Sequence, residues 1–153
     1  MSALASLQDL IGGVRRCFQL LGSLSDEMVA DLGITAALRA VLEHLYDGGP
    51  QTVPQIARDK SVRRQSIQAL VDELLELGLV ELLDNPTHKR SALAALTPEG
   101  RALFREVRRR ERRSLARLVK GFEAQELAAA STTLAKLRDR LRPTLEGMTD
   151  DAA

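Results

Sequence analysis

Residues 52–96 carry a pattern that leaves this chain few folds. Thr52 can cap a short helix from Val53 to about Lys60, with Pro54 in a tolerated first turn and Val53, Ile56 and Ala57 turned inward. Only a few residues later a better-patterned helix runs from Arg63 to Leu77. Ile67, Leu70, Val71, Leu74 and Leu75 share one of its faces, and Gly78 is its C-terminal stop. Two helices joined this tightly form a helix-turn-helix. Short apolar runs follow at residues 79–83 and 92–96, around the polar segment Asp84–Ser91, where Asn85-Pro86 favours a turn. Neither run alternates cleanly, but a hairpin directly after a helix-turn-helix is the order of a winged helix.

Helices flank this unit on both sides. Leu4, Leu7, Ile11, Val14, Phe18 and Leu21 step by threes and fours and give a helix with a narrow apolar seam. Gly22 and Ser23 predict a break or bend, after which the helix resumes through Asp31. Thr35 caps a second helix to about Asp47, with Leu38, Val41, Leu42 and Leu45 inward. Thr97-Pro98-Glu99-Gly100 is a strong start for a long fifth helix, disturbed at Gly121. A last helix is predicted from about Ala124 to Arg142, with Leu127, Ala130, Leu134, Leu137 and Leu141 in step, ended by Pro143 and Gly147. The expected fold class is therefore mainly α with a small β-hairpin, a winged helix-turn-helix flanked by N- and C-terminal dimerisation helices. The expected divisions are 1–34, 35–97, 98–146 and a frayed tail at 147–153. So narrow a seam needs a surface to bury against, and a second copy of the chain supplies one.

Composition narrows the function. The 153 residues are 44% hydrophobic and 28% charged, enough apolar material for a core and far too much for a disordered chain. With three Phe, one Tyr and no Trp, the stacking platforms of single-strand binders are hard to build. A lone Cys17 cannot form an internal disulfide, and no early stretch reads as a secretory leader, so a cytoplasmic location is expected. No uncharged apolar run approaches the roughly 18 residues of a membrane span, so no membrane is expected among its partners.

The charge of residues 52–91 is balanced, six basic against six acidic, but polarised. Arg58, Lys60, Arg63 and Arg64 gather near the start of the fourth helix and Lys89 and Arg90 at the hairpin tip, whereas Asp72, Glu73 and Glu76 lie at that helix's far end. The first turns of a recognition helix are those that reach base edges in the major groove. Arg64, Gln65 and Gln68 have the chemistry for base readout, since Arg pairs bidentately with guanine and Gln with adenine. Arg63 and Ser66 suit phosphate, and Ile67 is the inward anchor. His88, Lys89 and Arg90 fit a finger that enters a minor groove or straddles phosphates. Residues 101–120 hold nine basic and two acidic residues, spread around the helix rather than in one stripe, which suits long-range steering of DNA and names no base reader.

The segments GITAALRAVLEHL, TVPQIARDKSVRRQSIQALVDELLELGLVE and DNPTHKRSALAALTPEGRALF together resemble the MarR family of bacterial transcriptional regulators over about two thirds of the chain. The resemblance implies a homodimer whose terminal helices pair and whose two recognition helices read a pseudo-palindromic site on double-stranded DNA. It implies repression by blocking polymerase, with release by a small, often aromatic or anionic, effector. Two departures stand out. Members usually carry Ser where this chain has Arg63, so either Ser61 supplies the helix cap or Arg63 trades a cap for a phosphate contact. Many also have an acidic residue near the wing arginines, where this chain offers His88.

Other functions find less support. A redox-switched repressor using Cys17 would resemble the family's peroxide sensors, but those pair two tyrosines with the thiol and only Tyr46 occurs here. No phosphate-binding glycine loop, nucleophile elbow or histidine pair at metal spacing occurs, so no catalytic or metal residues and no cofactor are expected and the chain is not read as an enzyme. His44, beside the apolar face of the second helix, reads as a partly buried structural histidine. A winged-helix protein-interaction module without DNA binding is the remaining alternative. It would show little counterion-linked salt dependence.

Overall fold

The structure, a computed structural model, describes the backbone of residues 2–150 and the side chains of residues 2–143. Its elements are α1 (Ala3–Val29), a 3₁₀ turn (Ala30–Leu32), α2 (Ala36–Gly48), α3 (Val53–Lys60), α4 (Arg64–Glu76), β1 (Val80–Leu83), β2 (Leu93–Leu96), α5 (Pro98–Leu118) and α6 (Ala124–Asp150). The winged helix-turn-helix is thus present, with α3 and α4 as its helical pair and β1–β2 as its wing. The chain divides into two compact units, one up to Arg112 and one from Arg113 onward.

The first unit holds the core. Leu38, Val41, Leu42 and Leu45 of α2, Ile56 of α3, Ile67, Val71 and Leu74 of α4, and Phe104 and Val107 of α5 are almost completely buried, and Val29 at the end of α1 joins them. Each large apolar side chain removed from water contributes about 1.5–3 kcal/mol. The predicted inward faces are those observed, because helical periodicity fixes which side chains can share a stripe.

Local signals set the element ends. Thr52 and Gln55 form a capping box: the Gln55 amide donates to Thr52 Oγ1 at 3.3 Å, and Gln55 Oε1 accepts from the Thr52 amide at 2.8 Å. Gly78, with φ of 68°, ends α4 in the left-handed region. Its amide donates to the Leu75 carbonyl and the Leu79 amide to that of Leu74, each at 3.0 Å. Thr97 starts α5 by accepting from the Gly100 amide at 3.0 Å, while its own hydroxyl donates to the Gly78 carbonyl at 2.8 Å. One threonine therefore ties the end of α4 to the start of α5.

β1 and β2 pair antiparallel with Val80 opposite Leu96 and Leu83 opposite Leu93. A further backbone pair binds the α2–α3 linker to the wing: Gln51 N–H donates to Ala94 O at 3.1 Å and Ala94 N–H to Gln51 O at 2.8 Å. Val80 is buried while the rest of β1 is exposed, and Ala94, Ala95 and Leu96 are all buried. This explains the missing alternation: β2 lies against the core with both faces covered, and β1 emerges from it.

Three expectations need correcting. The predicted break at Gly22–Ser23 is absent and α1 runs unbroken to Val29. Ser23 Oγ donates to the Gln19 carbonyl at 3.2 Å, which keeps the serine within the helix. Second, α6 does not end at Arg142; it continues through Pro143 to Asp150, so 147–150 are helical rather than a tail, and residues 151–153 lie outside the described residues. An internal proline removes one hydrogen bond and adds a ring clash, which penalises a helix without ending it. Third, Ser61 does not cap α4. It closes α3 in the left-handed region with φ of 54°, its amide bonded to the Arg58 carbonyl at 3.1 Å.

Candidate nucleic-acid interface

α4 is fixed from beneath and bare above. Ile67, Val71 and Leu74 plug its inner face into the core, which leaves Arg64, Gln65, Ser66 and Gln68 exposed on the outer turns. Arg63 is the N-cap in extended conformation and makes no side-chain cap bond. The free amides at the start of α4 and the guanidinium of Arg63 are both unspent, an arrangement that attracts anions.

Gln68 Nε2 donates to Asp72 Oδ1 at 2.8 Å, one turn further along the helix. The amide group is thereby held in one orientation, with Oε1 left to accept.

The wing tip is closed by Asn85. Its Oδ1 accepts from the Thr87 amide at 3.1 Å and the Thr87 hydroxyl at 2.8 Å, and its Nδ2 donates to the Ser91 carbonyl at 2.9 Å. The His88 amide donates to the Asn85 carbonyl at 3.3 Å and the Ser91 amide to the His88 carbonyl at 3.1 Å. This frame presents His88, Lys89 and Arg90, all exposed.

The predicted site residues do not all converge. Arg64, His88 and Arg90 line one hollow of about 540 Å³ between α3, the first turn of α4 and the wing, together with Thr52, Pro54, Gln55, Arg58, Asn85, Thr87 and Ser91. Arg63, Gln65, Ser66, Gln68 and Lys89 lie outside it. Sequence reasoning counted Arg58 among the clustered cations and Asn85 as a turn former but named neither as a site residue. Arg58 follows the inward pair Ile56 and Ala57, so its outer position on α3 was legible, but nothing in the sequence placed α3 beside the wing.

The basic stretch of α5 is less free than its composition implied. Arg110 donates to both carboxylate oxygens of Asp31 at 2.6 and 2.9 Å, to Glu106 at 3.0 Å and to the Met28 carbonyl at 2.9 Å. Its hydrogen bonds hold the carboxyls of Asp31 and Glu106 below the usual carboxylate range, and those two carboxylates raise Arg110 above its own ordinary value. Arg109 also pairs with Glu106. Arg108 grips Asp47 at 2.6 Å and lies over the Tyr46 and Phe104 rings, whose centroids are 5.0 Å apart. Arg108 and Arg110 fasten α5 to its neighbours, and Arg109 pairs within the helix.

His44 is also engaged structurally, its Nε2 lying 2.9 Å from Gln51 Oε1 and 3.5 Å from Asp59. Cys17 is exposed on α1, and Tyr46 is packed on Phe104. Among the described residues no group of three or more His, Cys, Asp or Glu could hold a metal ion, and no helix is long and apolar enough to cross a membrane.

Comparison with known proteins gives this arrangement a family. A model of the MarR family matches residues 32–91, from the 3₁₀ turn through the wing tip. The uncharacterized protein Rv2011c of Mycobacterium tuberculosis is 40% identical over 96 residues, 61% of this chain and 66% of that protein. The chain thus spans just under two thirds of the length of that relative. The multiple antibiotic resistance protein MarR of Salmonella typhimurium is 31% identical over 115 residues, 74% of this chain and 80% of its own length. Among solved structures, the MarR family transcription regulator SP03579 superimposes with a TM-score of 0.81 at 27% identity, over 94% of this chain and 95% of that one. BpsR of Bordetella bronchiseptica, whose DNA binding is regulated by 6-hydroxynicotinic acid, superimposes with a TM-score of 0.72 at 25% identity, over 82% of this chain and 90% of its own. A relative matched over four fifths of its length at this identity establishes the kinship: the chain belongs to the MarR family, a family of winged helix-turn-helix transcriptional regulators.

Proposed function

We propose that this protein is a homodimeric repressor that binds a pseudo-palindromic double-stranded DNA site and is released by a small aromatic or anionic effector. In this reading, residues 35–97 bind DNA, and residues 1–34 and 98–146 make the dimer. Arg64, Gln65 and Gln68 address base edges, Arg63 and Ser66 the adjacent backbone, and His88, Lys89 and Arg90 the neighbouring groove.

The observation that carries the reading is the exposed first turn of α4, anchored by Ile67, beside a wing tip bearing Lys89, Arg90 and His88. Dimerisation is supported by α1, where Leu4, Leu7, Val14, Phe18 and Leu21 remain exposed in the single chain, Phe18 by 78%. An apolar stripe of this length is stable in water only when covered. For the effector, the control of BpsR by 6-hydroxynicotinic acid supports an aromatic carboxylate as the class to test first.

The reading is tested by incubating the purified full chain with a random duplex pool and sequencing what it retains. Enrichment of a two-fold symmetric motif is the expected result. Failure to enrich any motif, or to bind duplex at low ionic strength, would overturn it.

A further inference from the structure

The hollow between α3, α4 and the wing has a composition that the roles of recognition helix and wing do not explain. Its ten lining residues include Arg58, Arg64, Arg90 and His88 and no carboxylate. None of these four makes an ion pair among the described residues, although carboxylates are as common as cations in this part of the chain. Another hollow of this unit, between α2 and α3, is lined by Glu43, Asp47 and Asp59 beside Lys60 and His44 and shows the ordinary mixture. Three guanidiniums placed together without an acid repel one another, and such a cluster is stabilised by an external anion.

We infer that this hollow is a phosphodiester seat, in which Arg58, Arg64 and Arg90 together hold the stretch of DNA backbone that separates the two grooves entered by α4 and by the wing. The inference rests on the DNA-binding reading and adds Arg58 to it. It also moves Arg64 from base readout, which the sequence allowed, to the backbone.

Position supports it. One wall is the first turn of α4 and the other is the wing, and where these enter adjacent grooves, a phosphate strand must pass between them. The lining chemistry points the same way. Pro54 is the one apolar residue and no Phe or Tyr faces the space, whereas pockets for aromatic effectors are predominantly apolar. The capping box already engages the Thr52 and Gln55 amides, so the anion-binding capacity resides in the arginine side chains rather than in the end of α3. Asn85 accepts from Thr87 and donates to the Ser91 carbonyl, which fixes the wing side of the seat.

The test is the salt dependence of binding by the full chain, read by fluorescence anisotropy on a labelled random-sequence duplex and on a duplex selected from the random pool. Arg58→Gln should weaken both by the same factor and lower the slope of log K against log salt by about 1.8, one phosphate contact in each of the two protomers. The affinity lost between about 50 and 200 mM salt then shrinks roughly twelvefold. Arg58→Lys should restore the slope, because it returns the charge without the fork. An unchanged slope in Arg58→Gln, with the wild-type chain binding normally, overturns the seat and leaves the DNA-binding reading intact. If inorganic phosphate at constant ionic strength displaces DNA from the wild-type chain and from Arg58→Gln equally, the hollow does not hold DNA phosphate, and the seat falls while DNA binding stands. A wild-type chain that binds neither duplex overturns the reading beneath it.

Discussion

Gln68 and Asp72 are locked together on the exposed face of α4, the side-chain amide of the first donating to the carboxylate of the second at 2.8 Å. An amide so held presents its donor and acceptor in one order, which is what distinguishes adenine from the other bases in the major groove. Asp72→Ala should therefore blur preference at one base position, at a cost of about 1 kcal/mol on the preferred site. It should also tighten binding to random duplex, because a negative charge leaves the DNA-facing side. Asp72→Asn keeps an acceptor for Gln68 and should retain the preference. Sequencing of duplexes selected by each variant checks this, and an unaltered motif for Asp72→Ala would dismiss the role.

The Arg110 cluster gives a pH dependence with a definite sign. Asp31 and Glu106 are held below the ordinary carboxylate range by hydrogen bonds from Arg110. They therefore bind fewer protons in the folded chain than in the unfolded one. Such groups stabilise the fold above the usual carboxylate values, and the stabilisation is lost as pH falls through the depressed ones. Arg110→Gln should lower the denaturant midpoint at pH 7, and the gap to wild type should narrow in acid. Equal gaps at both pH values would contradict the assignment.

Gly100 admits no side chain. A Cβ built there would lie 2.0 Å from the Leu79 carbonyl oxygen, a backbone atom with no freedom to retreat. Gly100→Ala should destabilise the fold by about 1–3 kcal/mol, as overpacked core sites do. Urea unfolding monitored by circular dichroism would measure the loss.

The stripe on α1 predicts a dissociation phenotype. Phe18 is 78% exposed and Leu21 56% exposed, so neither contributes to the core of the single chain. Phe18→Glu should shift sedimentation from dimer toward monomer while the helical circular dichroism of the monomer persists. A variant that sediments as wild type would place the partner surface elsewhere.

The elements with one buried stripe were the legible ones. Leu38, Val41, Leu42 and Leu45 announced α2, and Ile67, Val71 and Leu74 announced α4, because in each the spacing of apolar residues equals the spacing of core contacts. The caps at Thr35, Thr52 and Thr97 were legible for the same local reason. What escaped depends on distant partners. Ser61 reads as a cap for the helix after it and instead closes the one before it, since either role is open to a serine in so short a turn. The cations of α5 read as a solvated, steering face. Arg108 and Arg110 prove to be fasteners, because Asp47 and Asp31, which hold them, are 61 and 79 positions away. The hollow shared by Arg58, Arg64 and Arg90 was hidden likewise: its walls come from three elements, and no periodicity reports how a wing folds back over a helix.

The pair of backbone hydrogen bonds between Gln51 and Ala94 divides the wing into a root and a tip with different anchorage. The root is bolted to the same linker that launches α3, so it shares a foundation with the recognition helix. The tip is laced only to itself, through Asn85. Under the DNA-binding reading proposed above, a duplex with a wider or tighter furrow should be met by displacement of the tip beyond Leu83 and Leu93, with α4 keeping its footing.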